Sequence, residues 1–470
     1  MKEQWKPIAK SISTEIMDFG GGLNITDSPY TLAENESCKC NNIDMDAFPA
    51  LAPRQGREKT DIGLIPVYDG QICEIGELVN GDIYLLCDNN IWNLTTQTLL
   101  FAVPSNTKRP MPHFRILDGG QVCDAWGTFV QTSHSIMYID RYGELQSEDT
   151  FFGISFVAIL GDDYYYAAKD GDTIYVYSPI KNMTLSQDNL NTYDIMHTWK
   201  QGAGELRGVT GLVTYMDKCY FFTKTGVYNI IGKRGNRKIQ EVSQIGGCIE
   251  KATIAQCSNK VIFLGSNGVN MISTSNKVEC ISDKVKDLVT NIDFFSPPCA
   301  AYYNGKYYLN IYPTNGATYL MVYDIERGIW SKEDIPPMVA ISVINNVLYA
   351  YSKGGELYKL YSPNSDEDIT WEWESSVFKP FSISEKTMLE RVNISVELQE
   401  DDARVMSEVI LENGDVIPLS TIKYSDNEER IRKLEVPIGF GMGTPSFRLH
   451  IKGVGRAKVY AIEKQFKKVR

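Results

Sequence analysis

The stretch Tyr215–Gly232, YMDKCYFFTKTGVYNIIG, carries the pattern that decides the fold. A turn at Asp217 precedes the aromatic run Cys219–Thr223, and a second turn ending at Gly226 leads into the apolar run Val227–Ile231. Two runs rich in β-branched and aromatic residues, joined by a short loop that contains glycine, predict a β-hairpin.

Six further segments repeat this pattern. They are Gly81–Thr95, Gly127–Asp140, Gly161–Ser178, Ser258–Ser273, Asn304–Asp324 and Asn345–Ser362. The first apolar runs of successive copies lie 35 to 56 residues apart. A hairpin that recurs about every 40–50 residues is typical of the blades of a β-propeller. A lone hairpin cannot bury its apolar face, so we expect the copies to stack on one another. A β-sandwich with coincidental spacing is the alternative.

The whole chain is expected to be all-β, with a β-propeller of about seven blades over residues 61–371. The 470 residues are too many for one ordinary core, and 27 Tyr and 18 Phe favour strands. Residues 1–60 do not fit the period and predict an extended N-terminal arm with short strands. Residues 372–470 alternate apolar and polar side chains, as in Arg391–Glu397, and predict a C-terminal β-sandwich.

Three local features of the sequence carry further predictions. The pair Asn413-Gly414 is a strong hairpin turn inside the predicted sandwich. The connector Lys181–Gly204 has few signs of buried strands and predicts a projecting loop. The connector Ile281–Ser296 has helical spacing of its apolar residues and predicts a short amphipathic helix.

The composition favours some classes of protein over others. The net charge is −12, and a general nucleic-acid binder would be basic. Ten cysteines without a CxxC pair predict reduced thiols in a protein made in a cytoplasm. The N-terminal residues lack the apolar core of a signal peptide, and no run of about 18 apolar residues exists, so we expect no membrane insertion.

Candidate chemistry in the sequence is sparse. The four histidines are far apart in sequence, which disfavours a metal cluster or a catalytic triad. The segment Asn364–Trp371, NSDEDITW, matches the Asp-box of sialidase-type propellers only in part, so we interpret it as a solvated linker. The basic stretch Gly232–Lys238 lacks P-loop spacing and is interpreted as a solvated turn at a hairpin tip. We predict no catalysis, no metal and no cofactor.

Residues 18–56 resemble the opening of many tailed-bacteriophage structural proteins. The resemblance rests on the segments Gly21–Asn24 (GGLN), Asp27–Pro29 (DSP), Asn41–Asp44 (NNID) and Leu51–Gly56, where Leu, Arg and Gly stand in an L..R.G pattern. The family includes β-propeller proteins of the tail tube or nozzle and head–tail stabilisation proteins. The resemblance extends loosely through Val209–Val285 and to the C-terminal pattern.

This resemblance implies a virion protein of the tail or neck, assembled in the cytoplasm of the host bacterium. It implies a homo-oligomeric ring that contacts other tail or neck proteins and lets DNA pass through its lumen without specific binding. An acidic channel wall would keep DNA from adhering. The alternatives are a receptor- or carbohydrate-binding propeller at the tail tip and a propeller glycosidase.

Contacts between copies are expected in the arm and in the Lys181–Gly204 loop, because neither has a place in the blade core. The candidate contact residues are Gly20, Gly21, Gly22, Asn24, Arg54, Asn189 and Asn191.

Overall fold

A computed structural model describes most of the chain, and the structural statements below concern the residues that it describes. These are residues 11–61, 74–77, 81–87, 90–102, 113–116, 127–131, 136–140, 145–149, 154–160, 163–170, 173–179, 193–200, 209–233, 235–293, 298–314, 316–365, 367–378, 387–424, 431–437 and 446–468.

The described elements are almost all strands, which confirms the all-β class. The first strands along the chain are β1 (Ser11–Ile16), β2 (Ser37–Asn41), β3 (Gly56–Lys59), β4 (Glu74–Glu77), β5 (Ile83–Cys87), β6 (Asn90–Asn93), β7 (Thr98–Ala102), β8 (His113–Ile116), β9 (Gly127–Gln131), β10 (Ile136–Asp140), β11 (Leu145–Asp149), β12 (Ile154–Leu160), β13 (Asp163–Asp170), β14 (Thr173–Pro179), β15 (Tyr193–Lys200), β16 (Val209–Tyr215), β17 (Lys218–Thr223), β18 (Val227–Ile231) and β19 (Lys238–Ser243).

The later strands follow at similar spacing. They are β20 (Ala255–Cys257), β21 (Lys260–Gly265), β22 (Gly268–Ile272), β23 (Val278–Cys280), β24 (Cys299–Tyr303), β25 (Lys306–Ile311), β26 (Tyr319–Asp324), β27 (Ile329–Asp334), β28 (Met338–Ile344), β29 (Val347–Ser352), β30 (Leu357–Ser362), β31 (Thr370–Ser375), β32 (Thr387–Leu398), β33 (Arg404–Leu411), β34 (Val416–Lys423), β35 (Ile431–Pro437), β36 (Phe447–Val454) and β37 (Ala457–Lys468). The α-helix is α1 (Lys286–Thr290), and 3-10 turns span Met45–Ala47, Lys251–Thr253 and Asp283–Val285.

The chain divides into two compact units. The terminal unit comprises Met1–Arg57, Met321–Asp334 and Tyr361–Arg470, and the repeat unit comprises Glu58–Leu320 and Ile335–Leu360. This division differs from the three consecutive domains expected from the sequence. The predicted arm shares a compact unit with the C-terminal residues, because its strands pair with theirs.

The repeat unit is built from antiparallel sheets, and in most of these sheets the strands follow one another in the sequence. The sheets β4–β7, β8–β11, β12–β15, β16–β19 and β20–β23 each contain four strands in chain order. Strand β24 pairs with β25, and β28–β30 are joined at their edge by β3, which comes from the N-terminal part of the chain. The predicted hairpins are confirmed as the pairs β5–β6, β9–β10, β13–β14, β17–β18, β21–β22 and β29–β30.

Neighbouring sheets of the repeat unit bury apolar side chains against each other, as expected for hairpins that cannot stand alone. Phe222 of β17 packs on Phe263 of β21 with ring centroids 4.9 Å apart. Ile75 and Leu85 of the first sheet share a buried cluster with Tyr351 and Leu357 of the last. Full burial of each such side chain contributes about 1.5–3 kcal/mol.

Two sheets make up the described part of the terminal unit. One has the order β26-β27-β2-β31-β36-β33-β34, and the other has the order β1-β37-β32-β35. The predicted alternation in β32 is confirmed, since Val392, Ile394 and Val396 are all fully buried. The predicted Asn413-Gly414 turn joins β33 to β34, with Gly414 at a φ of +88°.

The N-terminal strands occupy structural positions in both sheets. Strand β1 pairs with β37 along its whole length. Strand β2 lies between β27, to which it is parallel, and β31, to which it is antiparallel. Residues of the arm therefore form the middle of a sheet, because both neighbours of β2 need its backbone groups for hydrogen bonding.

The two predicted connectors have different outcomes. The helix is confirmed as α1, although it is short, and Val289 is buried on it. The projecting loop is wrong for Tyr193–Lys200, which forms β15 and pairs with β14. Apolar residues at alternate positions, such as Ile195 and Trp199, suit that strand. Asn189 and Asn191 lie outside the described residues. No helix among the described residues has both the length and the apolar character needed to cross a membrane.

Candidate functional site

The motif glycines of the arm lie against backbone. A Cβ on Gly21 would meet the carbonyl oxygen of Asn35 at 2.6 Å. Gly22 has a φ of +72°, and a Cβ there would lie 2.9 Å from the carbonyl oxygen of Trp330. The next residue, Leu23, donates its N–H to that same carbonyl at 2.7 Å. Glycine is needed at Gly22 because only it combines positive φ with this close approach.

Asn24 is buried and fixes the turn that follows the glycines; it is 1% exposed. Its Nδ2 donates to Asp27 Oδ2 at 3.0 Å and to Glu36 Oε1 at 3.2 Å. Its Oδ1 accepts from the N–H of Asp27 at 3.2 Å. This amide therefore joins the DSP turn to Glu36, the residue just before β2.

Arg54 lies at the centre of a buried ion cluster that we call the Arg54 cluster. Its members are Arg54, Arg57, Glu333, Tyr361 and Glu367, all from the terminal unit. Arg54 is 4% exposed, and its Nη1 and Nη2 donate to the two carboxylate oxygens of Glu367 at 3.3 and 3.0 Å. Its Nε lies 3.4 Å from Glu333 Oε2. One guanidinium thus serves two carboxylates from distant parts of the chain.

The Glu367 carboxylate also accepts hydrogen bonds from Arg57. The backbone N–H of Arg57 donates to Glu367 Oε2 at 2.8 Å and its Nε does so at 3.1 Å, while its Nη2 contacts Oε1. Burial alone raises the pKa of the Glu367 carboxyl, but hydrogen bonds from Arg57 and Arg54 outweigh it and lower the pKa to about 2. The prediction of a solvated linker at Asn364–Trp371 is wrong for Glu367, because two arginines bind it.

Of the two carboxylates in the cluster, Glu333 is the one whose burial is not offset by its hydrogen bonds and nearby charges. It is 5% exposed, and the hydroxyl of Tyr361 lies 2.9 Å from each of its oxygens. Burial raises the pKa of Glu333 to about 7, against the opposing effects of Arg54, Tyr361 and Arg57. Asp44 adds a smaller effect that also raises this pKa. The site therefore holds a carboxyl group that titrates near neutral pH.

The NNID motif binds Asp334, the residue that follows Glu333 in β27. Nδ2 of Asn41 and Nδ2 of Asn42 both donate to Asp334 Oδ2, at 2.7 and 3.1 Å. Asn42 Nδ2 also donates to the carbonyl of Thr370 at 2.8 Å, and Asn42 Oδ1 accepts from Arg54 Nε at 3.1 Å. The two amides join β2 to both of its neighbouring strands and to the Arg54 cluster.

The predicted contact residues that the structure describes all make contacts within the terminal unit. Gly22 lies against β27, Gly21 and Asn24 lie against the residues just before β2, and Gly20 donates its N–H to Asp18. Arg54 binds Glu333 and Glu367. Contact between copies through these residues stays a prediction. Sequence reasoning missed Glu333 and Tyr361, because a lone Glu or Tyr in a strand gives no signal of a distant partner.

The interpretation of Gly232–Lys238 as a solvated turn is wrong for Arg237, which is buried. Its guanidinium carbon lies 5.4 Å from the centroid of the Tyr165 ring. The cation–π contact with Tyr165 stabilises the buried guanidinium. Lys233 and Lys238 of the same hairpin tip are exposed, as expected.

The charged groups of the Arg54 cluster form ion pairs with one another. Each guanidinium and each carboxylate already has a partner within the unit, so the arrangement suits the joining of chain segments. Among the residues that the structure describes, no three His, Cys, Asp or Glu side chains are grouped so as to hold a metal ion. The absence of a metal, a cofactor and catalysis stays a prediction.

Comparisons with known proteins concern the fold. Neither the family models nor the curated proteins give a match to the sequence. The Pan2 WD40 domain of Neurospora crassa is similar at 10% identity, covering 67% of this chain and 97% of its own, with a TM-score of 0.41. BamB from Moraxella catarrhalis is similar at 13% identity, covering 67% and 99%, with a TM-score of 0.37. An exo-beta-1,3-galactanase from Phanerochaete chrysosporium has 9% identity, covers 87% and 100%, and has a TM-score of 0.24. The chain is an all-β protein whose structural neighbours include WD40 propellers.

Proposed function

We propose that this protein is a non-catalytic structural component of a tailed-phage virion that assembles as a ring in the tail or neck. One observation carries the proposal. The arm motifs through which the sequence resembles phage structural proteins are the residues that join the arm to the terminal unit, with Arg54 bound to Glu333 and Glu367 at their centre. In this chain these motifs hold the arm in place, as expected for a structural protein.

In this proposal the chain contains a propeller of about seven blades. The sheets β4–β7 to β20–β23 are five blades, the pair β24–β25 belongs to a sixth, and β28–β30 with β3 are the seventh. Two features support it. Strand β28 of the last sheet lies beside β4 of the first, and an N-terminal strand completes the last sheet, as expected for a closed ring of blades. The two sheets of the terminal unit form the C-terminal sandwich, with the arm as part of it.

The proposed partners are further copies of this chain, other tail or neck proteins, and DNA that moves through the lumen. A net charge of −12 supports a channel wall that does not hold the phosphate backbone. Cyclic head-to-tail contacts between copies give a closed ring. Assembly takes place in the host cytoplasm before the particle is complete.

The test is the mass of the assembled full chain and its copy number in purified particles. Native mass spectrometry and negative-stain microscopy are expected to show one closed ring, and particles are expected to contain a whole number of rings. A fluorogenic sugar assay and a glycan array run on the same preparation are expected to be silent. A monomer at every concentration, or turnover of a sugar, would contradict the proposal.

A further inference from the structure

A polar cavity of about 320 Å³ opens in the terminal unit beside the Arg54 cluster. Its walls come from the Met45–Ala47 turn, the segment up to Gln55, and the start of β37. Leu51 and Val459 exchange two backbone hydrogen bonds of 2.9 Å, which hold the arm against β37 at the edge of this cavity. Because both walls are fixed by backbone pairing, the cavity is a built feature of the fold.

Lys458 lines the cavity and has no ion pair among the described residues. Lys458 stands opposite Glu397 in the pairing of β32 and β37, where an ion pair would be expected. Glu397 instead accepts the hydroxyl of Tyr460 at 2.5 Å. In the part of the chain that the structure describes, no carboxylate lies within ion-pair distance of Lys458. Its ammonium is therefore available to an incoming anion.

Arg456 adds a second cation to the same wall. It lies in the bend just before β37, and it lines the same cavity as Lys458. Its only ion pair among the described residues is a loose one, with Nε 4.0 Å from Glu400 Oε2, and its side chain is 55% exposed. Arg54 also lines the cavity, but its guanidinium is bound to Glu333 and Glu367.

The cavity lining also contains acidic residues, which limit the class of ligand. These are Asp44 and Asp46, and Asp44 accepts the N–H of Asp46 at 3.0 Å. These carboxylates would repel a polyphosphate chain more strongly than a single acidic side chain, which carries one charge. The volume is at the lower end of small-molecule sites, which span about 300–1,000 Å³. It suits the tip of a loop with one acidic side chain.

We propose that this cavity receives an acidic side chain from a second copy of this chain, bound by Arg456 and Lys458. The partner follows from charge complementarity, because the chain has 59 Asp and Glu against 47 Lys and Arg, so each copy presents an excess of carboxylates to its neighbour. The inference rests on the proposed ring and names the surface through which its copies meet. Such a contact between different surfaces of two copies is head-to-tail, as a ring requires.

The first experiment is carbodiimide cross-linking of an equal mixture of unlabelled and isotopically labelled full chain. The reagent joins an ammonium group to a carboxylate that touches it. The expected product is a peptide pair that contains Lys458 of one copy and an Asp or Glu of the other, in mixed-isotope form. Products that link Lys458 only within one copy, or no Lys458 product from an assembled sample, overturn the inference.

The second experiment reverses the charges with Arg456→Glu and Lys458→Glu together. We expect the dissociation constant of the assembly to rise at least about tenfold in sedimentation velocity, with an unchanged melting transition. Arg404→Glu is the matched control, since Arg404 is exposed in the same unit and does not line the cavity, and it is expected to assemble normally. If the double variant fails to fold, Arg456→Gln with Lys458→Gln replaces it.

The outcomes separate this inference from the proposed function. A wild-type chain that assembles, together with a double variant that assembles equally well, overturns the cavity contact and leaves the ring intact. A wild-type chain that remains monomeric overturns both.

Discussion

Arg54 and Glu367 form a two-pronged ion pair, with Nη1 3.3 Å from Oε2 and Nη2 3.0 Å from Oε1, although 313 residues separate them in sequence. The pair lies between the end of the arm and the segment that precedes β31. Bidentate guanidinium–carboxylate geometry fixes direction as well as distance. The N-terminal arm is therefore positioned by a directional charge contact in addition to strand pairing.

Arg54→Ala is expected to destabilise the terminal unit by roughly 3–5 kcal/mol, because it leaves the buried Glu333 without its nearest cation and weakens the binding of Glu367. Urea unfolding of the full chain, followed by tryptophan fluorescence, measures this, since Trp371 and Trp373 are buried in that unit. Arg404→Ala, at an exposed position, is expected to change stability by less than about 0.5 kcal/mol. Equal effects of the two substitutions would show that the cluster contributes nothing.

Glu333 is expected to make stability depend on pH in the range between its unfolded and folded pKa values. Its folded pKa of about 7 lies above the ordinary value of 4.5, so the folded chain binds the proton more tightly. The stabilising contribution is thus complete below about pH 4.5 and is lost as the pH rises through 7. Its size is on the order of 3 kcal/mol, from the cost of each pKa unit.

The check is the free energy of unfolding from pH 5 to 8 for wild type and for Glu333→Gln. The Gln side chain does not titrate, so the variant is expected to lose most of the decline with pH. Glu412→Gln, at an exposed position, serves as the control and should keep the wild-type profile. A Glu333→Gln profile parallel to wild type would assign the decline to other groups.

Gly22→Ala is expected to cost about 1–3 kcal/mol, because the new Cβ meets Ile329 and Trp330 at 2.8 and 2.9 Å and φ is +72°. Gly414→Ala is the matched control, with a φ of +88° and no atom within 4 Å of the added Cβ. It isolates the cost of positive φ from the cost of close approach. Thermal unfolding of both variants gives the difference, and identical losses would mean that the approach to Trp330 is not tight.

Deletion of residues 1–55 tests the position of β2. We expect this truncation to abolish ring formation while leaving a folded propeller, because the arm has no place in the blade core. The structure adds that the deletion removes the strand between β27 and β31 together with Arg54, so β31 and β36 are expected to lose amide protection in hydrogen exchange. Deletion of residues 1–17 keeps β2 and is expected to retain that protection. Full protection of β31 in the longer deletion would contradict the assigned sheet order.

Local patterns made much of the fold predictable. The hairpins follow from alternation and turn residues within about 20 residues of each other, as with Asn413-Gly414, so no distant contact was needed to find them. Helical spacing located α1 for the same reason. Strand β15 was missed because a long polar stretch precedes it, which concealed the short alternating run from Tyr193 to Lys200.

The partners of the arm could not be predicted in this way. Gly22 signals a special backbone position, but nothing near it in sequence points to Trp330. Strand β2 is short and carries Lys39, so its sequence pattern does not predict that it lies in the middle of a sheet. The partners of Arg54 are set by tertiary pairing of β2 with β27 and β31, and a single sequence without that pairing leaves Glu333 indistinguishable from any other strand glutamate.

The ring is the central claim, and native mass spectrometry of the full chain at micromolar concentration tests it most directly. The proposal predicts one dominant closed oligomer whose mass is a whole multiple of the 53.0 kDa chain. A spectrum that shows only the 53.0 kDa species at every concentration would contradict it.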